Sequence, residues 1–302
     1  MRVKLLLLLL LTTVICAPVL AWNKPTHMMI GAITYSELKT AHPATLVKVI
    51  VLLRAHPEYA EWQSELVNVS APERDRYLFM LASRWPDDIR KDPRYDHPEW
   101  HYIDLPITVD TTSAEAPASP NLLEAFAENE KILRKSTNAT ERAIALCWVL
   151  HLIGDGHCPL HAVSLFSPQF PRGDRGGNKF FVRTKDDGGV VNLHALWDGL
   201  LITTDKYQTI CDRAILLCNQ ADLTRTKLTE LRDTEFRNWV KHESYAIAKT
   251  IVYQNGKLRG GTRKEQAVTL PDTYLATAKT TAQRRVLLAG YRTAALLAKD
   301  VK

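Results

Sequence analysis

Paired thiolates, strand patterning and low-complexity tracts are nearly missing from this sequence. There is no CxxC pair, which argues against zinc held by clustered cysteines. Thirteen Gly and fifteen Pro in 302 residues are too few for a collagen-like or low-complexity chain. Charged residues at 24% against 46% hydrophobic exclude an intrinsically disordered one. The basic excess is slight, 39 Lys+Arg against 33 Asp+Glu for a formal +6, which suits an anionic partner without demanding one. Past residue 21 no apolar run approaches the ~20 residues a bilayer span needs, so no stable membrane association is expected. No internal repeat or interdomain linker stands out.

The one long apolar run is at the start. Arg2 and Lys4 precede Leu5–Leu11, and the stretch closes on Val19-Leu20-Ala21 before polar residues resume. This is the pattern of an export signal cleaved after Ala21. The expected mature chain is 22–302, secreted or periplasmic, and losing Arg2 and Lys4 lowers its charge to +4. Its cysteines are 147, 158, 211 and 218. In an oxidising compartment they form two disulfides or stay as buried thiols. Cys147 and Cys158 share a helical stretch about 16 Å long at 1.5 Å per residue, too far apart to bridge each other.

Apolar residues recur three and four apart over 28–55, 120–135, 140–155, 205–219, 233–254 and 271–299, the signature of helices. Alternation is convincing only at 179–183 and 190–191, on either side of a DDGG turn, and predicts a hairpin. Residues 255–269 (NGKLRGGTRKEQAVT) read as a mobile basic loop. The expected fold is all-α: a single mostly helical domain, 22–302, with one small β-hairpin.

The histidines carry the chemistry. His151 and Asp155 are four apart, as are His194 and Asp198, so each pair shares one helix face. His161 follows Asp155 by six residues, Asp87 lies in RWPDDIR, His101 in EWHYID, and His27 five residues after Trp22. Imidazole nitrogen and carboxylate oxygen are zinc donors, but a His/Asp pair on one helix cannot complete a site, so several elements must converge. An isolated pair is usually a surface helix stabiliser. Two pairs with a further His near each favour a metal centre.

Six ordered motifs run through the chain: Trp22 with His27, Trp85-Pro86-Asp87, WHYID at 100–104, His151…Asp155…His161, GGN at 176–178, and Asn192-Leu193-His194…Asp198. With them the chain resembles the zinc-dependent single-strand-specific nucleases of fungal and plant type (type I nucleases), relatives of the bacterial zinc-dependent phospholipases C. The resemblance covers nearly all of 22–302. It implies a cleft with three zinc ions: one held by Asp87, His101, His151 and Asp155; one by the Trp22 amine and carbonyl, His27 and Asp155; one by His161, His194 and Asp198. It also implies Arg90 beside the transferred phosphate, Tyr102 stacking a nucleobase and Asp104 at the nucleotide site, although Tyr102 equally suits core packing. Asn178 and Asn192 are candidates to brace the ligands, and His157 is expected to be structural.

The implied activity is endonucleolytic hydrolysis of single-stranded DNA and RNA, with 3′-nucleotidase action on nucleotides. A metal-activated hydroxide would serve as the nucleophile, with Asp87 and Arg90 in catalytic positions. Against three zinc charges, Asp87, Asp155 and Asp198 leave the site positive and attractive to a phosphodiester. Two alternatives stay open. A phospholipase C is disfavoured by Asp198, where that branch has Glu, and by the short spacing from Trp22 to His27. A secreted zinc-binding protein without turnover is the other. This chain departs from the pattern at Cys158, where Gln is common, at Pro86, and at Gly199.

Overall fold

The computed structural model describes residues 22–110, 112–186 and 188–301; the expected leader, 1–21, lies outside them. The fold is mostly helical, with two small sheets.

At the centre is α6 (Ala139–His157), capped by the Asn138 side chain, which accepts from the Thr140 and Glu141 amides. Residues 145–157 are all buried, as in a helix enclosed on every face. Around it pack α1 (Lys24–Ala41), α2 (Pro43–Leu53), α4 (Arg74–Asp88), α5 (Leu122–Lys135) and the 29-residue α11 (Asp272–Asp300). The short α3 (Tyr59–Leu66) leans on α4, and α8 (Tyr207–Cys218) on α1. The periodic stretch 28–55 is two helices, because Pro43 disfavours helical backbone at His42 and α1 ends at Ala41.

Two departures from the sequence reading matter. First, β1 (Leu105–Thr108) and β2 (Val163–Phe166) form a parallel pair, Leu105 opposite Val163. This joins the backbone just after His101 to that just after His161. Second, the basic segment 255–269 is ordered, contrary to expectation. Gly261 and Phe181 exchange backbone hydrogen bonds, and β5 (Val268–Thr269) pairs with β3 (Phe181–Arg183). The expected hairpin is present, β3 against β4 (Val190–Asn192), and α7 (Leu193–Asp198) starts directly where β4 ends.

The stretch 233–254 is helical from Phe236, but irregularly: α9 (Phe236–Asn238), a π-helical segment Trp239–Ser244, α10 (Tyr245–Ile247) and a second π segment Ala248–Val252. The four cysteines among the described residues are free thiols, so the structure contains neither of the disulfides that export would allow. Cys147 is in α6 and Cys158 just beyond its end; Cys211 and Cys218 are two turns apart on α8, about 10 Å along the axis. No described helix is long and apolar enough to cross a membrane.

Candidate metal centre

Each candidate ligand arrives by its own local device. α1 starts where the Asn23 side chain accepts from the Thr26 amide (3.0 Å) and donates to the Ile202 carbonyl (2.6 Å), which sets His27 in the first turn. Asp87 is in the last turn of α4, and His101 closes a 3-10 turn, Pro98–His101. His151 and Asp155 face the same way from α6. His161 closes a second 3-10 turn, Pro159–His161. Asn192 caps α7 through the Ala195 amide (2.7 Å) and so orients His194 and Asp198.

Asp155 is the hub. Its Oδ1 lies 3.2 Å from His27 Nε2, and its Oδ2 lies 3.0 Å from His101 Nδ1 and 3.3 Å from His151 Nε2. His151 Nε2 is also 3.9 Å from Asp87 Oδ1, and its ring stacks on His27 at 3.7 Å between centroids. A second locus adjoins it. There His194 Nε2 is 3.5 Å from Asp198 Oδ2, and the His161 and His194 rings are 4.8 Å apart.

Three imidazoles are held by their far nitrogens. Nδ1 of His151 donates to the Ser83 carbonyl (3.1 Å), that of His161 to the His101 carbonyl (2.6 Å), and that of His194 to the Gly176 carbonyl (2.7 Å). A carbonyl only accepts, so Nδ1 carries a proton in each, and Nε2 is the nitrogen that can offer a lone pair to the site. Metal-ligating histidines are oriented in this way.

The donor set fits a divalent metal. Both ring nitrogens of His27, Asp87 Oδ2, His101 Nε2, Asp155 Oδ1, His161 Nε2 and Asp198 Oδ2 are buried without a hydrogen-bond partner. Each unsatisfied buried group costs about 1–3 kcal/mol, so this clustering implies an occupant, and nitrogen with carboxylate oxygen is what zinc takes. Donor atoms within 4.8 Å of one another group as His27, His151 and Asp155; as Asp87, His101 and His151; and as Cys158, His161 and Asp198.

A family model described as S1/P1 Nuclease matches residues 22–302. This chain belongs to the S1/P1 nuclease family. It is 26% identical over 313 aligned residues to Endonuclease 4 of Arabidopsis thaliana, covering 92% of this chain and 88% of the plant protein. It is 29% identical over 140 residues to Nuclease S1 of Aspergillus oryzae, covering 43% of this chain and 44% of the fungal protein.

In this S1/P1 nuclease the centre is strongly polarised. Burial opposes charge on Asp155, yet the facing His151 and His161 hold its carboxyl well below the usual range. Burial, together with Asp155 and Asp87, pushes Asp198 well above it, the state a nearby cation would reverse. Arg90 reaches Asp87 Oδ1 through Nη2 (2.6 Å) and Nε (3.1 Å), and its side chain is 16% exposed. Tyr102 follows His101 in extended backbone and is half-buried. Asp104 has a φ of +57°, and burial, with Asp174 nearby, pushes its carboxyl up to about 6.

Some site residues lay outside the sequence reading. Ser83 acts through its backbone carbonyl, which no side-chain motif announces, and Gly176, inside the GGN motif at 176–178, acts through its carbonyl as well. A Cβ at Gly176 would lie 2.3 Å from the Leu160 carbonyl oxygen, and its φ is +57°, so glycine is required there. Buried Asp174 accepts from the Leu165 amide (2.9 Å) and the Tyr253 hydroxyl (2.7 Å) and pins the loop that presents Gly176. Asn178 Nδ2 donates to the Arg175 carbonyl (2.9 Å). With Asn192 as the α7 cap, both asparagines brace backbone beside the ligands. His157 Nδ1 donates to Ile153 (2.8 Å) and its Nε2 accepts from Arg292 (3.0 Å), the structural role expected.

Proposed function

We propose that this chain is an exported zinc-dependent phosphodiesterase that hydrolyses single-stranded DNA and RNA, with 3′-nucleotidase action on nucleotides. The observation that carries this reading is the convergence of His27, His101 and His151 on the two oxygens of buried Asp155, next to a second His/His/Asp locus, in a member of the S1/P1 nuclease family. The family match favours a nuclease over a phospholipase C, and the intact donor set argues against a protein that only stores metal. The export pattern at 1–21 supports a secreted or periplasmic location for a domain of 22–302.

In this reading Asp87, His101, His151 and Asp155 hold one zinc; the Trp22 amine and carbonyl, His27 and Asp155 a second; His161, His194 and Asp198 a third. When bound, zinc acidifies a water and polarises the phosphoryl oxygens. The chain supplies the rest. Arg90, tied to Asp87, stands at the edge of the centre with a fork that can bond two phosphate oxygens. Tyr102 offers a stacking face, worth ~1–3 kcal/mol per base and tolerant of base identity. Asp104 would accept from a base edge. A base must leave the duplex to reach Tyr102, which supports the single-strand preference.

The test is hydrolysis of single-stranded DNA, RNA, duplex DNA and phosphatidylcholine by purified protein, with and without chelator. Chelator-sensitive cleavage of the single strands, restored by zinc, is expected. Phosphatidylcholine hydrolysis without nucleic-acid cleavage would overturn the reading.

A further inference from the structure

The second locus, with His161, His194 and Asp198, contains a donor that the motifs did not assign. Cys158 is fully buried at the end of α6, immediately before the turn that carries His161. Its Sγ lies 3.9 Å from Asp198 Oδ1, to which it donates. Sulfur, a His161 ring nitrogen and an Asp198 oxygen all lie within 4.8 Å of one another. Ligands on one tetrahedral zinc, with bonds of about 2.0 Å to oxygen or nitrogen and 2.3 Å to sulfur, stand about 3.5 Å apart. Asp198 Oδ2 and His161 Nε2 are themselves buried and without partners, so two independent donors aim into the space that the sulfur adjoins. The other mature cysteines are elsewhere: Cys147 is three turns back on α6, and Cys211 faces Met80 Sδ at 3.9 Å.

We propose that Cys158 supplies a thiolate to the metal held by His161, His194 and Asp198, making this locus a sulfur, imidazole and carboxylate site. The proposal rests on the metal-centre reading above. On binding, the S–H bond gives way to sulfur–metal coordination, and the proton leaves to solvent. A soft donor biases the locus toward zinc and against magnesium, calcium or manganese. It also makes retention of that one ion sensitive to thiol oxidants.

Chelator-stripped full-length protein is titrated with cobalt(II), with metal per chain counted by elemental analysis and the absorption spectrum recorded. The expected result is a sulfur-to-cobalt charge-transfer band in the near ultraviolet. It should persist in Cys147→Ser and vanish in Cys158→Ser, which would also release one metal equivalent to a competing chelator at least about tenfold more readily. Three cobalt ions bound without that band, or an unchanged band in Cys158→Ser, would overturn the proposal while leaving the metal centre standing. Failure to bind cobalt at all would overturn the metal-centre reading first and this proposal with it. Zinc-edge X-ray absorption on the unaltered protein needs no variant. A sulfur shell at about 2.3 Å supports the thiolate, and a fit to nitrogen and oxygen alone refutes it.

Discussion

The Nδ1 of His161 donates to the His101 carbonyl at 2.6 Å, while the His161 carbonyl accepts from the amide of Ile103 at 3.0 Å. The His161 side chain and backbone are thus both tied to the segment that carries His101, 60 residues away, in a clasp extended by the β1–β2 pair. Residues proposed to serve different metal ions share one scaffold, so disturbing the clasp should affect both.

Ile103→Pro removes the amide donor and leaves the His161 carbonyl unpaired. The expected loss is at least about 1–3 kcal/mol in chemical denaturation, the cost of one unsatisfied buried group before the lost packing of the buried Ile103 side chain is added, with metal content falling at both loci together. Ile103→Val, which keeps the amide, should retain the metal. Loss from a single locus in the proline variant would show that the clasp does not couple the sites.

Asp155→Asn should be the most damaging ligand substitution. Asp155 faces His27, His101 and His151, whereas Asp198 faces His194 and Cys158. Turnover on single-stranded DNA should fall by more than about 100-fold, the upper end of what losing a mere hydrogen-bond partner of a ligand costs. If Asp198→Asn strips more metal and more activity, the hub role assigned to Asp155 is wrong.

The candidate site was more legible than the fold around it. Four-residue spacing forces His151 with Asp155, and His194 with Asp198, onto one face whatever the tertiary structure, and ordered motifs linked them to His27, Asp87 and His101. What stayed hidden depends on distant partners. β2 is buried along its whole length, so it shows no alternation, and its pairing with β1 is fixed by a segment some sixty positions away. β5 exists only because Arg183 and Val182 present an edge to Val268 and Thr269. The π turns after Trp239 keep an apolar spacing close to that of an α-helix, and α3 and α4 went unmarked as separate helices.

Close packing gives a sharper test of His27. A Cβ at Gly154 would lie 2.8 Å from His27 Nδ1 and 2.9 Å from its Cε1. Gly154→Ala should gain up to about 1 kcal/mol of helix propensity and lose about 1–3 kcal/mol to overpacking. The imidazole must shift, so one metal equivalent should be lost while the helical circular dichroism is kept. Full metal retention would place His27 outside the metal set.

The N-terminus proposed at Trp22 bears on the same ion. If the Trp22 amine binds zinc, cleavage after Ala21 is part of building the site. A free α-amine has a pKa of ~7.7–8.0 and sheds its proton to the metal; a peptide nitrogen has no lone pair for that role. Protein verified by mass spectrometry to carry one extra residue before Trp22 should bind one zinc fewer and lose most activity. Three zincs and full turnover would mean that buried Trp22 only packs.

Asp174 sets a pH dependence away from the ligands. Burial pushes its carboxyl up to about 6, although the Tyr253 hydroxyl and the Leu165 amide donate to it. In the unfolded chain an aspartate titrates near ~4. Between those values the folded protein holds the proton more tightly than the unfolded one. This contribution to stability is therefore complete below about 4 and is lost as pH rises through about 6. Two pH units correspond to a loss on the order of 3 kcal/mol by pH 7. Asp174→Asn keeps the shape without the charge. Its carbonyl oxygen can still accept from Leu165, and its amide can donate to the Tyr253 oxygen. Relative to the unaltered protein, the variant should therefore gain stability steadily from pH 4 to pH 7 in urea denaturation. Asp104 should titrate lower in the variant, because Asp174 is one of the charges holding it up. Parallel stability profiles for the two proteins across that range would show that the carboxylate is ionised in the folded state throughout, sustained by its hydrogen-bond donors.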